Sequence, residues 1–410
     1  MEEKKERKMR DSGIPWIGEV PEGWEFSKIK YHCTMKSGDN ITALDISDNG
    51  EYPVYGGNGL RGFYKIYNKN GNHILIGRQG ALAGNVHLVN GKFWATDHAV
   101  IVTLKNDVFI NYFFRMLESM NLNQYAFDTA AQPGLSVSRI MNLNIVLPNL
   151  KEQHRIADFL GSKCSEIDTL IENLRARMES AKEYKKAVIT EAVTKGLDKD
   201  AKMKDSGVEW IGEIPEGWKV VRFKHIASIK SNLVQPDKYM KYPQIAPDNI
   251  EKDTGRLLSH QTVEESGVIS GNHLFYRGQI LYSKIRPNLN KLTVAPFDGL
   301  YSADMYPIES KLPTLFMVYS MLSTYFVSQV SLIIQDRVKM PKINQEELGE
   351  IKVAVPSQQE MLTIADYLDS KCSEIDALLQ NYEYQIATLE EYKKSLIYEY
   401  VTGKKEVPEA

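Results

Sequence analysis

Two copies of one tryptophan-bearing box constrain this chain more than any other feature of its sequence. Asp-Ser-Gly-Ile-Pro-Trp-Ile-Gly-Glu-Val-Pro-Glu-Gly-Trp runs from Asp11 to Trp24, and Asp-Ser-Gly-Val-Glu-Trp-Ile-Gly-Glu-Ile-Pro-Glu-Gly-Trp runs from Asp205 to Trp218. Ser-Lys-Cys-Ser-Glu-Ile-Asp then starts at Ser162 and again at Ser370. Self-similarity on this scale marks a tandem duplication, so the fold is built from two related halves with an approximate two-fold relation between them. Asp205 stands 194 positions after Asp11, whereas Cys372 stands 208 after Cys164. The halves therefore diverge between box and later segment: the frame is kept and the modules vary.

Each later segment lies in a helix with a legible start. Asn149 is followed three residues on by Glu152, and Ser357 by Glu360, both just past a proline. A side-chain acceptor at the cap with a carboxylate at the third position satisfies free N–H groups at a helix start. Apolar residues then recur by threes and fours at Ile167, Ile171, Leu174, Met178, Ala181, Val188 and Ala192. The second copy has Ile375, Leu379, Tyr382, Ile386, Leu389, Leu396 and Tyr400. Spacing near 3.5 over that length is a coiled-coil seam, about 65 Å long at 1.5 Å per residue, ending at Gly196 or Gly403. Two such helices can pack antiparallel. Lys185 and Lys393 interrupt the seam at equivalent places, either fixing register or snorkelling off its edge.

The divergent stretches, roughly 20–147 and 214–355, hold short apolar runs such as His73–Ile76, Ala99–Leu104 and Gln279–Tyr282, punctuated by Gly, Asn and Pro, with short helices expected at Val108–Met120 and Leu315–Leu332. The expectation is an α+β fold: two pseudo-symmetric globular domains joined by two long antiparallel coiled-coil helices. The expected boundaries are an N-terminal segment and first domain over 1–148, a helix over 149–196, a linker and second domain over 197–356, a helix over 357–403 and a tail over 404–410. No run of about 18 apolar residues occurs, and the N-terminus has no apolar stretch behind its charges, so a cytoplasmic protein without a membrane span is expected. Cys33, Cys164 and Cys372 are widely separated, as plain buried thiols would be.

Net charge is −3, which taken whole argues against a nucleic-acid binder, but the charge is segregated. Between Tyr52 and Thr96 there is no Asp or Glu, but Arg61, Lys65, Lys69, Arg78 and Lys92 are present. Ser266–Phe297 likewise has no Asp or Glu, but carries Arg277, Lys284, Arg286 and Lys291. Asn58 and Gln79 in one window, and Asn288 and Asn290 in the other, lie among these bases and several tyrosines. Arg and Lys neutralise phosphates, while Arg, Asn and Gln present paired hydrogen bonds to purine edges in the major groove. A solvated basic loop with no partner is the competing reading. A second patch precedes each helix, with Gln132 and Arg139 about Pro133-Gly134 and with Arg337, Lys339 and Lys342 about Pro341. Duplex DNA is the commonest target that itself comes in two unequal halves.

Catalytic signatures are missing from the sequence: it has no phosphate loop, no Gly-x-Ser-x-Gly elbow, no His-Glu-x-x-His, and no Asn-Pro-Pro-aromatic segment of the adenine methyltransferase kind. Pro247-Asp248 with Glu251-Lys252 is too compressed for a nuclease carboxylate cluster.

Val193-Thr-Lys-Gly-Leu197 followed by Met203–Trp218 resembles the central region of specificity subunits of type I restriction-modification systems. Tyr52-Pro-Val-Tyr-Gly-Gly-Asn-Gly59 and Tyr282-Ser-Lys-Ile-Arg-Pro287 are similar to segments of their target recognition domains. The resemblance spans essentially the whole chain, in the order box, variable domain, helix, twice over. It implies a non-catalytic subunit whose two target recognition domains each bind one half of a split, asymmetric site in double-stranded DNA, with the helices as a ruler. It also implies two modification subunits that supply S-adenosylmethionine and methylate adenine, joined by restriction subunits in a larger assembly. No cofactor is expected in this chain. One departure is that Gln153-His154-Arg155 of the first helix becomes Met361-Leu362-Thr363 in the second.

Carried onto this sequence, the DNA-binding candidates are Asn58, Arg61, Lys65, Arg78, Gln79, Gln132 and Arg139 for one half-site. For the other they are Lys284, Arg286, Asn288, Asn290, Lys291, Lys339 and Lys342. Partner docking is assigned to Tyr184, Lys186, Tyr392 and Lys394, and no residue is assigned to catalysis or metal binding. The competing class is a coiled-coil scaffold linking protein partners, which has no use for acid-free windows; a stand-alone restriction enzyme would need catalytic motifs.

Overall fold

The repeated Asp-Ser-Gly explains itself in the structure, a computed structural model that describes residues 7–79, 83–105, 107–127, 134–269 and 271–408. Asp11 and Asp205 accept from the amides of Gly13 and Gly207 at 3.0 and 2.9 Å, and Ser12 and Ser206 accept from Ile14 and Val208 at 3.1 and 3.2 Å. These side-chain turns, with glycine at φ 65° and 67°, fold each box back on itself. Met9–Asp11 pairs with Glu19–Pro21, and Met203–Asp205 with Glu213–Pro215.

The chain forms two compact units that do not follow chain order. One comprises Met1–Leu174 and Tyr384–Ala410, the other Arg175–Glu383. Each takes one variable domain, one box and about half of each long helix.

The long helices run Leu150–Lys195 and Gln358–Val401. Asn149 caps the first, accepting from Glu152 N at 3.0 Å. Ser357 and Glu360 form the full reciprocal box at the second, with bonds of 3.4 and 3.1 Å. Gly196 and Gly403 end them at φ 75° and 72°, the left-handed conformation that closes a helix. In the first unit Cys164, Ile167 and Ile171 are buried in one core with Leu396, Ile397, Tyr400 and Val401. In the second, Val188, Ile189, Ala192 and Val193 share a core with Ile364, Leu368 and Cys372. Within each unit, then, the start of one helix packs on the end of the other.

The interrupting lysines reach across the seam. Lys185 Nζ donates to both oxygens of Asp376 at 2.6 and 2.7 Å in the second unit, and Lys393 Nζ to both oxygens of Asp168 at 2.7 Å in the first. All three cysteines are buried and free. Burial pushes the Cys33 thiol up to about 12 and the Cys372 thiol to about 11.

The boxes cover the helix ends. In the second unit Ile211, Ile214 and Trp218 pack with the last turns of the helix that precedes them in sequence. A Cβ on Gly196 would sit 3.2 Å from the Trp218 ring. In the first unit Ile17, Val20 and Trp24 pack on the end of the second helix, nearly the whole chain away. A Cβ on Gly403 would lie 2.5 Å from Pro21 and 2.9 Å from Trp24. Tyr112 Oη donates to Val401 O at 3.0 Å and Tyr398 Oη to Ile17 O at 3.2 Å, which closes the chain order into a ring within that unit.

The variable domains share one plan. Each has an antiparallel four-stranded sheet, in the order Cys33–Ser37, Ala99–Leu104, His73–Gly77, Val86–Val89 in the first and Ala227–Ile229, Met305–Ser310, Ile280–Ser283, Leu292–Val294 in the second. A second sheet in each contains a parallel pair, Tyr52–Gly56 with Lys92–Ala95 and Pro243–Ile245 with Gly299–Tyr301. A strand leading out of each box, Glu25–Lys28 or Lys219–Arg222, pairs with the strand before the long helix. The helix expected over Val108–Met120 is Ile110–Ser119. The one expected over Leu315–Leu332 is two, Thr314–Leu322 and Thr324–Ile334, bent by 59° at Ser323. Ser323 is extended there at ψ 152°, and its carbonyl accepts the first bond of the second helix from Val327 N at 3.2 Å. No single helix among the described residues is long and apolar enough to cross a membrane, and this bent pair lies largely in the core.

Candidate nucleic-acid interface

In both domains the strand at the heart of the four-stranded sheet delivers basic residues to the same place. His73–Gly77 is nearly all buried, its successor Arg78 half-buried and Gln79 exposed. Arg78 N donates to His98 O and Leu135 N to Arg78 O, each at 2.9 Å, and Gln79 forms a bridge with Gly134. In the second domain Ile280–Ser283 is fully buried and leads into Lys284-Ile285-Arg286. There Ile343 N donates to Lys284 O at 3.0 Å, Arg286 N to Pro341 O at 2.7 Å, and Ile285 bridges Lys342. In the second half the two candidate patches, read as separate in sequence, are therefore joined at Ile285 and Lys342, and in the first half Gly134 and Leu135 join Arg78 and Gln79.

Around Arg78 the structure gathers part of the expected set. Arg78 Nη1 donates to Ser37 Oγ at 3.3 Å. The Gly57-Asn58 turn lies close beside it: a Cβ on Gly57 would meet His98 O at 3.2 Å and Gln79 O at 3.4 Å. Asn58 Oδ1 accepts from Asn85 Nδ2 at 2.9 Å. Arg61 runs over Gly56, where a Cβ would be 2.4 Å from its Cδ. Lys65 lies past the far end of the strand Gly59–Tyr64, away from this turn. Arg139 is exposed, its guanidinium 5.6 Å from the centre of the Tyr125 ring. Gln132 lies outside the described residues.

The second domain separates its candidates more sharply. Arg286, Asn288, Lys339 and Lys342 are exposed, and Lys284 rests its ammonium 5.3 Å from the Tyr306 ring centre. Asn290 is only 1% exposed, and its Nδ2 donates to Met321 O at 3.1 Å, so its amide is spent inside the fold. Lys291 Nζ is occupied by Pro247 O at 2.8 Å and lies 3.6 Å from Asp248 Oδ1. Lys342 Nζ is 3.4 Å from Asp304 Oδ1. The window free of acids in sequence is therefore not free of them in space. Among the described residues Arg61, Arg78, Arg286 and Lys339 carry no ion pair.

Sequence reasoning missed the residues that neighbour these. His87 lies beside Gly59, and burial lowers its pKa. Burial, reinforced by the nearby Lys284, lowers that of His273, which stacks on Tyr301. A separate polar chain runs from Ser27 Oγ to His32 Nε2 and from His32 Nδ1 to Asp107 Oδ2, each 2.6 Å, at a cleft of 740 Å³ that also borders Tyr31 and Asn144. It ties a strand, a helical turn and the loop before Ile110–Ser119. In the second half Val221 and Ile226 stand at the positions of Ser27 and His32, and nothing in the spacing of these three residues advertises their meeting.

Of the docking candidates, Tyr184 and Tyr392 are exposed to nearly the same degree, 54% and 55%, and Lys394 is exposed. Lys186 is engaged with Glu183 at 3.2 Å and lies 3.8 Å from Asp253.

A family model described as type I restriction modification DNA specificity domain matches residues 21–180. The chain is 34% identical over 267 residues to the type I restriction enzyme EcoDI specificity subunit of Escherichia coli, covering 61% of this chain and 60% of that relative's length. It is 28% identical over 423 residues to the MjaVIII specificity subunit of Methanocaldococcus jannaschii, covering 94% of this chain and 93% of that one. A chain in a structure described as the basis of complex assembly and conformational transition of the type I R-M system matches 94% of this chain and 99% of its own length. Its TM-score is 0.65 at 15% identity, a likeness of fold. The match to a specificity domain, the near full-length alignment and the twofold recurrence of box, domain and helix agree: over residues 21–180 the chain carries a type I restriction modification DNA specificity domain, and along nearly its whole length it is similar to specificity subunits of type I restriction enzymes.

Proposed function

We propose that this chain is the non-catalytic DNA-reading subunit of a type I restriction-modification complex, each domain recognising one half of a split, asymmetric duplex sequence. The observation that carries this reading is the pair of equivalent surfaces. After the central buried strand of each domain, the basic segment at Arg78 or Arg286 is bridged to the segment that precedes the long helix, Gln79 to Gly134 and Ile285 to Lys342. A coiled-coil scaffold gains nothing from repeating that bridge. The candidates left in solvent are Asn58, Arg61, Lys65, Gln79 and Arg139 on one side and Arg286, Asn288, Lys339 and Lys342 on the other. Their chemistry suits phosphates and purine edges. Two modification subunits, docking about Tyr184, Tyr392 and Lys394, would supply S-adenosylmethionine and methylate adenine. Restriction subunits would join the larger complex, which works in the cytoplasm.

The test is methylation-sensitive sequencing of cells that carry this chain with its modification subunit, against cells lacking only this chain. The expected result is adenine methylation at a two-part motif with a fixed gap, lost on deletion. Arg78→Ala should relax one half of that motif and Arg286→Ala the other, each by about 1–3 kcal/mol of discrimination. Uniform weakening across sequences would mark a phosphate contact instead. A motif indifferent to the deletion would overturn the reading.

A further inference from the structure

The loop Gln335–Lys342 is held at its base and bare at its tip. Ile334 and Ile343, which flank it, are buried. Arg337 donates from Nη1 to Glu347 Oε2 at 3.1 Å and also to the Lys342 carbonyl, closing the loop on itself. Arg286 N on Pro341 O and Ile343 N on Lys284 O fasten it to the reading edge. Between these anchors Val338 is 94% exposed and Met340 55%, with Lys339 exposed between them. Met340 is in the left-handed region at φ 45°, an uncommon conformation for a side chain of its size. Connecting loops are usually finished with polar and turn-forming residues. A fastened loop that presents two apolar side chains to water has its binding surface ready-made, with little left to order on contact.

The charges around the tip are Arg286, Lys339 and Lys342 against Asp336 and Asp304, a net positive setting. A phosphate-lined groove fits that setting, and of the base edges in the major groove only thymine offers an apolar group, its C5-methyl. We propose that Val338 and Met340 form an apolar reader of a thymine methyl within the half-site of the second domain, specificity determinants that act beside Arg286. The proposal rests on the DNA-reading function above.

The experiment uses the full chain in complex with its modification subunits, and duplexes of the methylated motif in which each thymine of that half-site is replaced in turn by deoxyuridine, which lacks the methyl. Binding is read by fluorescence anisotropy. The expected result is one position at which deoxyuridine weakens the wild-type complex about fourfold, the effect of one apolar carbon. The Val338→Ser/Met340→Ala variant should bind the thymine duplex more weakly and be indifferent to that replacement. Wild-type binding that is sequence-specific but insensitive to every replacement would overturn the proposal alone, as would a variant that keeps full sensitivity or a half-site with no A·T pair. Variants that bind DNA normally but lose the modification subunits would overturn it too, assigning the tip to protein contact. A wild-type complex with no sequence preference would remove the underlying reading as well.

Discussion

Arg286 and Asn290 are near neighbours in sequence, share the left-handed backbone region at φ 43° and 44°, and have opposite fates. Arg286 is in solvent on the reading edge; Asn290 is sealed against Met321. Asn290→Ala should therefore lower stability by about 1–3 kcal/mol, the cost of losing a buried hydrogen bond and orphaning its partner. It should leave the methylated motif unchanged, which denaturant midpoints and methylation sequencing would check together. Composition could not tell the two apart, because a basic, amide-rich window looks the same whether its amides face water or the core. Nor could it see Asp304 and Asp248, which come to Lys342 and Lys291 from turns outside that window. The histidines carry a pH signature. Burial holds His87 and His273 below the ordinary 6.5, so below that pH the unfolded chain binds more protons than the folded one. Stability present above 6.5 is lost as pH falls through the depressed values. Denaturant midpoints should drop as pH falls from neutral through and below 6.5, and His87→Gln should flatten part of that drop.

The long helices were legible because caps, heptads and terminal glycines are local signals that agree with one another. What the lysines in the seam do was not, since Asp168 and Asp376 look like outward-facing residues until the facing helix is in place. Lys185 is 10% exposed in its side chain, whereas Asp376 is 49% exposed, and the two partners are therefore not equivalent under mutation. Asp376→Ala would leave a nearly buried ammonium without its carboxylate; Lys185→Met would fill the same seam position with an apolar chain and leave a carboxylate that water can solvate. The first should cost about 2–3 kcal/mol and the second less than about 1 kcal/mol, the exposure of Asp376 keeping both below the cost of breaking a fully buried pair. Urea denaturation of the two variants side by side would decide, and equal losses would contradict the assignment. The bend at Ser323 shows the reverse limit: hydrophobic periodicity ran through it, and the break lies in one serine's backbone.

At the scale of the molecule, duplication was plain from two boxes, but the sorting of the chain into units was not. The first box reads as a preface to its own domain, and only the fold shows it seated on the end of the second helix. Removing Tyr384–Ala410 should therefore damage the domain farthest from the cut in sequence. Trp24 and Tyr112 would lose the cover of Leu396, Ile397, Tyr400 and Val401, while Arg175–Glu383 keeps its core intact. Limited proteolysis of the truncated chain should degrade residues of the first domain and spare the second, and equal resistance of both would refute the division. The same closure sets an order of events during synthesis. A ribosome adds about 5–20 residues each second, so the second unit has all its parts once Glu383 has emerged, before the tail exists. The domain made first is finished last, and until Tyr400 and Val401 arrive, the faces of Trp24 and Tyr112 that they cover remain open to water.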